Sequence, residues 1–270
     1  MTQTPARHSC ISVASANGQP HQTDSGLGGS PAALSTAAVS FVESVVALAP
    51  RIAVFDCDGT LWAGDSGEQF LRWELKRGLL PKAVAEWIEP RYRDYQAGLV
   101  SEEDICGEMV TIHDGLCVDK LWTVAEEFFT KVMSGALFSE MIELTERLRR
   151  NGCQLWAVSS TNEWVVRAGI RRFGIPDEHN ISACVHCENG VATGRLKRVP
   201  TDDDKAVAIR ELIPGGVNAA FGNSIHDAAM LALAPHAFAV NPNPDLAQIA
   251  RQRGWQVYFP MGTAAQQSNP

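Results

Sequence analysis

Nowhere does this chain of 270 residues reach the roughly 18 consecutive apolar residues that a membrane-spanning helix needs, so no membrane partner is expected. Positive charge is also scarce: 23 Lys and Arg stand against 31 Asp and Glu, a net charge of −8. Binding to a nucleic-acid backbone depends on clustered Lys and Arg, and that partner class is set aside. The seven cysteines (10, 57, 106, 117, 153, 184, 187) are odd in number and lack the spacing of a disulfide framework, which suits free thiols in a reducing compartment. Residues 1–30, rich in Ser, Gly, Thr, Gln and Ala with Arg7 as the lone cation, contain no apolar segment of the signal-peptide kind. A disordered tail and a cytoplasmic address are expected.

What is present is a soluble-type composition, 45% hydrophobic and 20% charged, and a length that suits one generous core or a core with an inserted subdomain. The most informative stretch is Arg51 to Thr60, where an apolar strand ends in Asp56 and Asp58. Residues at i and i+2 of an extended segment face alike, and two neighbouring carboxylates are unstable together without a cation or a shared proton. A hard divalent metal answers that need. Mg²⁺ takes oxygen ligands, usually one or two carboxylates with waters and substrate phosphate, and Gly59 lets the backbone turn tightly beside them.

Further along, residues 31–50 read as an extra helix leaning on the core. Residues 66–151 carry helical periodicity with almost no strand signal, and Ser101 with the acidic residues 102–104 starts one helix. From 152 onward strand and helix alternate: strand 154–158 ending in Ser159-Ser160-Thr161, a helix over 162–173, and a hairpin turning on Asn189-Gly190. A helix over 202–212, a strand over 217–221 ending in Gly222-Asn223, a helix over 228–234 and short strands at 237–240 and 255–259 complete the series. Strands alternating with helices predict a parallel sheet with ligands at the carboxyl ends of its strands. The expected organisation is a Rossmann-like α/β core (51–65 and 152–262) sandwiched by helices, an all-helical cap (66–151) and a short tail (263–270).

The order Asp56-x-Asp58-x-Thr60, then Ser159, then Lys205, then Gly222, Asn223 and Asp227 resembles the haloacid-dehalogenase-like phosphatases, in particular the phosphoserine-phosphatase-like branch with a helical cap of the C1 type. The resemblance covers about 51–259. It implies a Mg²⁺-dependent phosphomonoester hydrolase acting on a small phosphorylated metabolite, most simply phosphoserine-like. Asp56 is then the nucleophile that forms an aspartyl-phosphate, and Asp58 the group that protonates the leaving alkoxide. Ser159, the amide of Ser160 and Lys205 neutralise the phosphate oxygens. Asp56, the Asp58 carbonyl and Asn223 are the implied metal ligands, with Asp227 holding a metal-bound water or pairing with Lys205. Asn223 departs from the pattern, in which an Asp is usual; an amide oxygen still coordinates a hard cation but brings no charge.

Specificity is expected from the cap and the loop after the first motif. Asp65 stands about nine residues past the nucleophile, where the phosphoserine-type proteins place a carboxylate facing the substrate amine, and Glu68 is a second candidate. Arg91 and Arg93, with Tyr92 and Tyr95, are candidates to clamp a substrate carboxylate bidentately. Phosphocholine or phosphoethanolamine is the alternative substrate, and a silent phosphometabolite-binding protein the alternative class. Trp62, Trp73 and Trp87 read as core residues by their spacing, with a pocket for a cationic head group as the alternative; His226 reads as a helix cap, with a supporting or proton-transfer role as the alternative; Cys184, His186 and Cys187 are too few for a structural zinc. Gly26 to Gly29 follow no strand and carry no dinucleotide role. The sequence sets no oligomeric state.

Overall fold

A computed structural model describes residues 34–261; both expected tails, Gly26 to Gly29 and the start of the 31–50 segment lie outside the described residues. Seven strands form a single sheet in the order β4-β3-β2-β1-β5-β6-β7. They are β1 (Ile52–Phe55), β2 (Gln154–Asn162), β3 (Asn180–Glu188), β4 (Val191–Arg198), β5 (Ala219–Gly222), β6 (His236–Val240) and β7 (Gln256–Tyr258). All neighbours pair in parallel except β3 and β4, the antiparallel hairpin at Asn189-Gly190.

The alternation of side chains along β1 explains the two layers. Ala53 and Phe55 point into one core with Phe41, Phe221 and Phe238, while Ile52 and Val54 point into the other with Val158, Ile181 and Leu246. In the first layer the rings of Phe55, Phe221 and Phe238 stack in series at 4.4 and 4.7 Å. Helix α1 (Thr36–Ala47), capped by Ser35, covers this face, and Phe41 stacks on Tyr258 at 3.7 Å. Because β1 has β2 on one side and β5 on the other, its carboxyl end is the place where connections leave in opposite directions, the usual ligand crevice of such sheets.

Between β1 and β2 lie α2 (Ser66–Arg77), α3 (Lys82–Gln96), α4 (Glu102–Thr111), α5 (Val118–Phe128) and α6 (Ser139–Arg150). The first helices enclose their own small core of Leu71, Leu80, Ile88, Tyr92, Ile105, Met109 and Ile112. A buried pair, His113 Nε2 to Glu74 Oε1 at 2.9 Å, ties α2 to the end of α4. Helix α6 instead packs on α1 and β2, so the last dozen residues of the expected 66–151 segment flank the sheet. Trp62 and Trp73 pack in the interior as their spacing suggests, whereas Trp87 is 47% exposed.

The remaining helices are α7 (Glu163–Ile170), α8 (Asp202–Leu212), α9 (Ala228–Leu231) and α10 (Pro244–Arg253). The last was not expected: Asn243 caps it by accepting from Leu246 N, and Gly254 ends it in the left-handed conformation. Strand β2 runs on through Ser159-Ser160-Thr161, because Asn162 is its final residue and also the cap of α7. No described helix is long and apolar enough to cross a membrane.

Candidate active site

Asp56 follows the end of β1 and is only 6% exposed. Its Oδ1 accepts from Lys205 Nζ at 2.8 Å and its Oδ2 from Thr60 Oγ1 at 3.1 Å. Lys205, at the end of the first turn of α8, also donates to Asp227 Oδ1 at 2.6 Å, and Asp227 Oδ2 accepts from the amides of Asn223 and Ser224. Gly222 has no room for a Cβ, which would stand 2.5 Å from the Asp227 Cβ. Two strand ends and one helix start are thereby drawn to a single point.

That point carries more negative than positive charge. Burial, then the nearby Asp227, lift the Asp56 carboxyl to about 7 against the pull of Lys205. Burial works against the Lys205 ammonium, but Asp227 and Asp56 outweigh it and hold its pKa above the ordinary value. One ammonium thus serves two buried carboxylates, with Asp58 beside them. A hard cation fits this excess, and the oxygen donors present suit it: the Asp56 carboxylate, the Asp58 carbonyl and the Asn223 amide. The two motif loops also touch, since Gly59, at φ +75°, lies where a Cβ would be 2.0 Å from Asn223 Nδ2. No group of three His, Cys, Asp or Glu residues among the described residues is placed to hold a metal ion on its own.

Asp58 is held by three donors. Trp62 Nε1 at 2.7 Å and Ser66 N at 2.6 Å reach Oδ1, and Thr161 Oγ1 at 2.8 Å reaches Oδ2. Ser159 is 2% exposed at the cleft floor, where its Oγ accepts from Thr161 N. Asp65 caps α2, its Oδ1 accepting from Glu68 N at 2.8 Å, and lines the cleft. Burial, then the Asp58 charge, raise Asp65 to about 7.

The cleft has a volume of about 460 Å³ and brings together Asp56, Asp58, Asp65, Ser159, Ser160, Lys205 and Asn223. Other expected residues fall outside its lining. Glu68 points to Arg72 and Gln96, Arg91 is engaged by Glu108 with contacts of 2.6 to 3.2 Å, and Arg93 is exposed. The carboxylate clamp expected of Arg91 and Arg93 is therefore not formed: Arg91, although one turn from Tyr95, is drawn to Glu108 on α4, Arg93 faces solvent, and Tyr92 and Tyr95 are the residues of this group that line the cleft.

Three contributors were missed. Thr161 follows Ser159 directly and is legible as part of the same polar strand end. Glu102, read only as a first-turn acid, reaches across from α4 to accept from Ser160 Oγ at 3.0 Å and Thr201 Oγ1 at 3.1 Å. Its other oxygen meets His226 Nε2 at 2.8 Å, while His226 Nδ1 meets Asp202 at 2.8 Å. His226, expected to be a plain cap, joins the insert to the core, and no local pattern announces that.

Comparison with known proteins agrees with this geometry. A family model for haloacid dehalogenase-like hydrolases matches residues 53–232. The phosphoserine phosphatase SerB1 of Mycobacterium tuberculosis (strain ATCC 25618 / H37Rv) is 27% identical over 215 residues, 76% of this chain and 69% of that protein. A histidinol-phosphatase of Neisseria meningitidis serogroup C is 24% identical over 217 residues, 77% of this chain and 97% of that one. A crystal structure of a protein with unknown function from Bordetella pertussis Tohama I superposes with a TM-score of 0.69 at 24% identity, covering 77% of this chain and 97% of that chain. With the motif residues converging on one cleft of a mostly parallel sheet, this chain belongs to the haloacid dehalogenase-like hydrolases and is a phosphatase of that family.

Proposed function

We propose that the chain is a Mg²⁺-dependent phosphomonoesterase that works through a phospho-Asp56 intermediate on a small amino-bearing metabolite. The observation that carries this reading is the Asp56 carboxylate itself, buried yet lining the cleft, and fixed between Lys205 and Thr60. An Asp56 oxygen attacks phosphorus, and the bond from phosphorus to the ester oxygen breaks. The leaving alkoxide takes a proton from Asp58, which Trp62, Ser66 and Thr161 hold in place. In the second half Asp58 removes a proton from water, the water oxygen bonds to phosphorus, and orthophosphate departs as the Asp56 carboxylate is restored.

Ser159, the Ser160 amide and Lys205 supply donors for the equatorial oxygens, where phosphoryl transfer is mostly a matter of positioning and charge. A magnesium ion held by Asp56, the Asp58 carbonyl and Asn223 would supply the remaining charge neutralisation. Asp65, in the cleft wall, is the acceptor for a substrate amine. The test is turnover of p-nitrophenyl phosphate with Mg²⁺: Asp56→Asn is expected to lower kcat by about 10³-fold or more. Turnover retained in that variant would exclude Asp56 as the nucleophile.

A further inference from the structure

Part of the cleft lining comes from the insert, and its chemistry is one-sided. It presents the Asp65 carboxyl and the rings of Tyr92 and Tyr95, whose centroids are 5.8 Å apart, over the apolar Ile105 and Met109, while Glu102 in the same lining is engaged by His226, Ser160 and Thr201. Among the lining residues the cationic side chains are Lys205 and His226. Both are committed: Lys205 lies between Asp56 and Asp227, and His226 between Glu102 and Asp202. Arg91, a candidate from the sequence, is forked onto Glu108. A leaving group that carries a carboxylate would be placed among carboxyl groups with no uncommitted cation to meet it.

A leaving group that carries positive charge finds the opposite situation. Carboxylates and aromatic faces together are the usual recognition chemistry for ammonium-type groups, and here both line the same wall. Charge balance at the floor points the same way, because a phosphate dianion adds to a cleft already rich in carboxyl groups. A cation on the alcohol portion would offset that total within the length of one small molecule.

Resting on the phosphatase reading above, we infer that the preferred substrate is a phosphomonoester whose alcohol bears a cationic nitrogen and no carboxylate, with Asp65, Tyr92 and Tyr95 as its specificity determinants. Phosphoserine, which pairs its amine with a carboxylate, is then a poorer substrate. The nitrogen sits over the tyrosine rings with Asp65 as its counter-charge, and the phosphate lies at Asp56.

The full-length protein is assayed with Mg²⁺ against O-phosphoethanolamine, phosphocholine, histidinol phosphate, O-phospho-L-serine and glycerol 2-phosphate. At least one of the three carboxylate-free cations is expected to exceed both phosphoserine and glycerol phosphate by about tenfold or more in kcat/KM. Asp65→Asn keeps a side chain that caps a helix as well as Asp does, and it is expected to shrink that preference by about tenfold. The inference is overturned if phosphoserine or glycerol phosphate matches the best cation, or if Asp65→Asn leaves the ratio unchanged. Turnover of p-nitrophenyl phosphate, run alongside, reports on the phosphatase reading separately: its absence in the wild type would sink that reading, whereas its presence with the wrong selectivity sinks only the substrate class.

Discussion

An amide in place of a carboxylate at position 223 removes one unit of negative charge from the edge of the cleft without removing the oxygen. Asn223 keeps its backbone role, donating to Asp227 Oδ2 at 2.8 Å and lying against Gly59. A unit charge about 4 Å from a cation is worth about 4 kcal/mol at an effective dielectric near 20, before desolvation is subtracted. Asn223→Asp is therefore expected to lower the Mg²⁺ concentration for half-maximal turnover by about tenfold. It should also lower the melting temperature in metal-free buffer, since Asp56 and Asp227 already share one ammonium. A titration of activity against Mg²⁺ decides; an unchanged or higher half-saturation point would mean that residue 223 does not meet the cation.

At this scale the sequence was most legible where chemistry and backbone coincide. Asp56, Asp58, Ser159 and Asp227 stand at or just beyond strand ends, where local pattern pointed to them, whereas Lys205, at a helix start, was singled out by the motif order of the family resemblance. Arg91 and Arg93 illustrate the limit. Their charge suggested a ligand, but whether a helical side chain faces a cleft or a neighbour such as Glu108 depends on how the helix is rotated, and that is set by packing far away in sequence.

Among the elements, α4 and α8 meet through one imidazole. Glu102 on α4 and Asp202 at the start of α8 both contact His226, and the Glu102 hydrogen bond, against the opposing effect of burial, holds its pKa up at about 9 from 6.5. Burial pushes the Glu102 carboxyl up, but His226 and Ser160 more than reverse it, so its pKa is lowered. Because the folded value for His226 exceeds the unfolded one, the link contributes in full below pH 6.5 and is lost as pH rises through about 9. His226→Gln should thus melt below wild type at pH 6, with the gap closing by pH 10. Melting curves across that range test it, and a gap that persists at pH 10 would show the link to be independent of the charge on His226. Helix α10 was within reach of sequence reasoning, since Asn243, Pro244 and Gly254 are ordinary start and stop signals. The Glu102 to His226 link was not, because it joins positions 124 residues apart (226 − 102) on two separate elements.

In the molecule as a whole, the insert is fastened unevenly to the sheet. Residues 113–118, between α4 and α5, lie along β4: Gly115 N donates to Ala192 O, Ala192 N to Leu116 O and Val118 N to Gly190 O, each at 2.9 Å. Asp114 Oδ1 accepts from Gly194 N at 2.8 Å. Helix α4 packs on β2, β3 and β4, while α3 rests mainly on α4 and carries Pro90 within its span. Opening free energies follow such differences in packing and hydrogen bonding. Hydrogen exchange is expected to be faster along α3 than along α4 and residues 113–118, and slower in α3 when phosphate and Mg²⁺ are present. Equal protection of α3 and α4 would contradict this account of the anchoring.

The pairing of residues 113–118 with β4 has a consequence for traffic. A seam of main-chain bonds along one border resists parting, so a swing of the insert that admits a molecule is expected to pivot there and to open where anchoring to the sheet is sparsest, at α3. The tyrosines of α3 would then be the first groups an arriving alcohol portion brushes and the last to let go of it, making the gatepost and the selector one and the same piece of the protein.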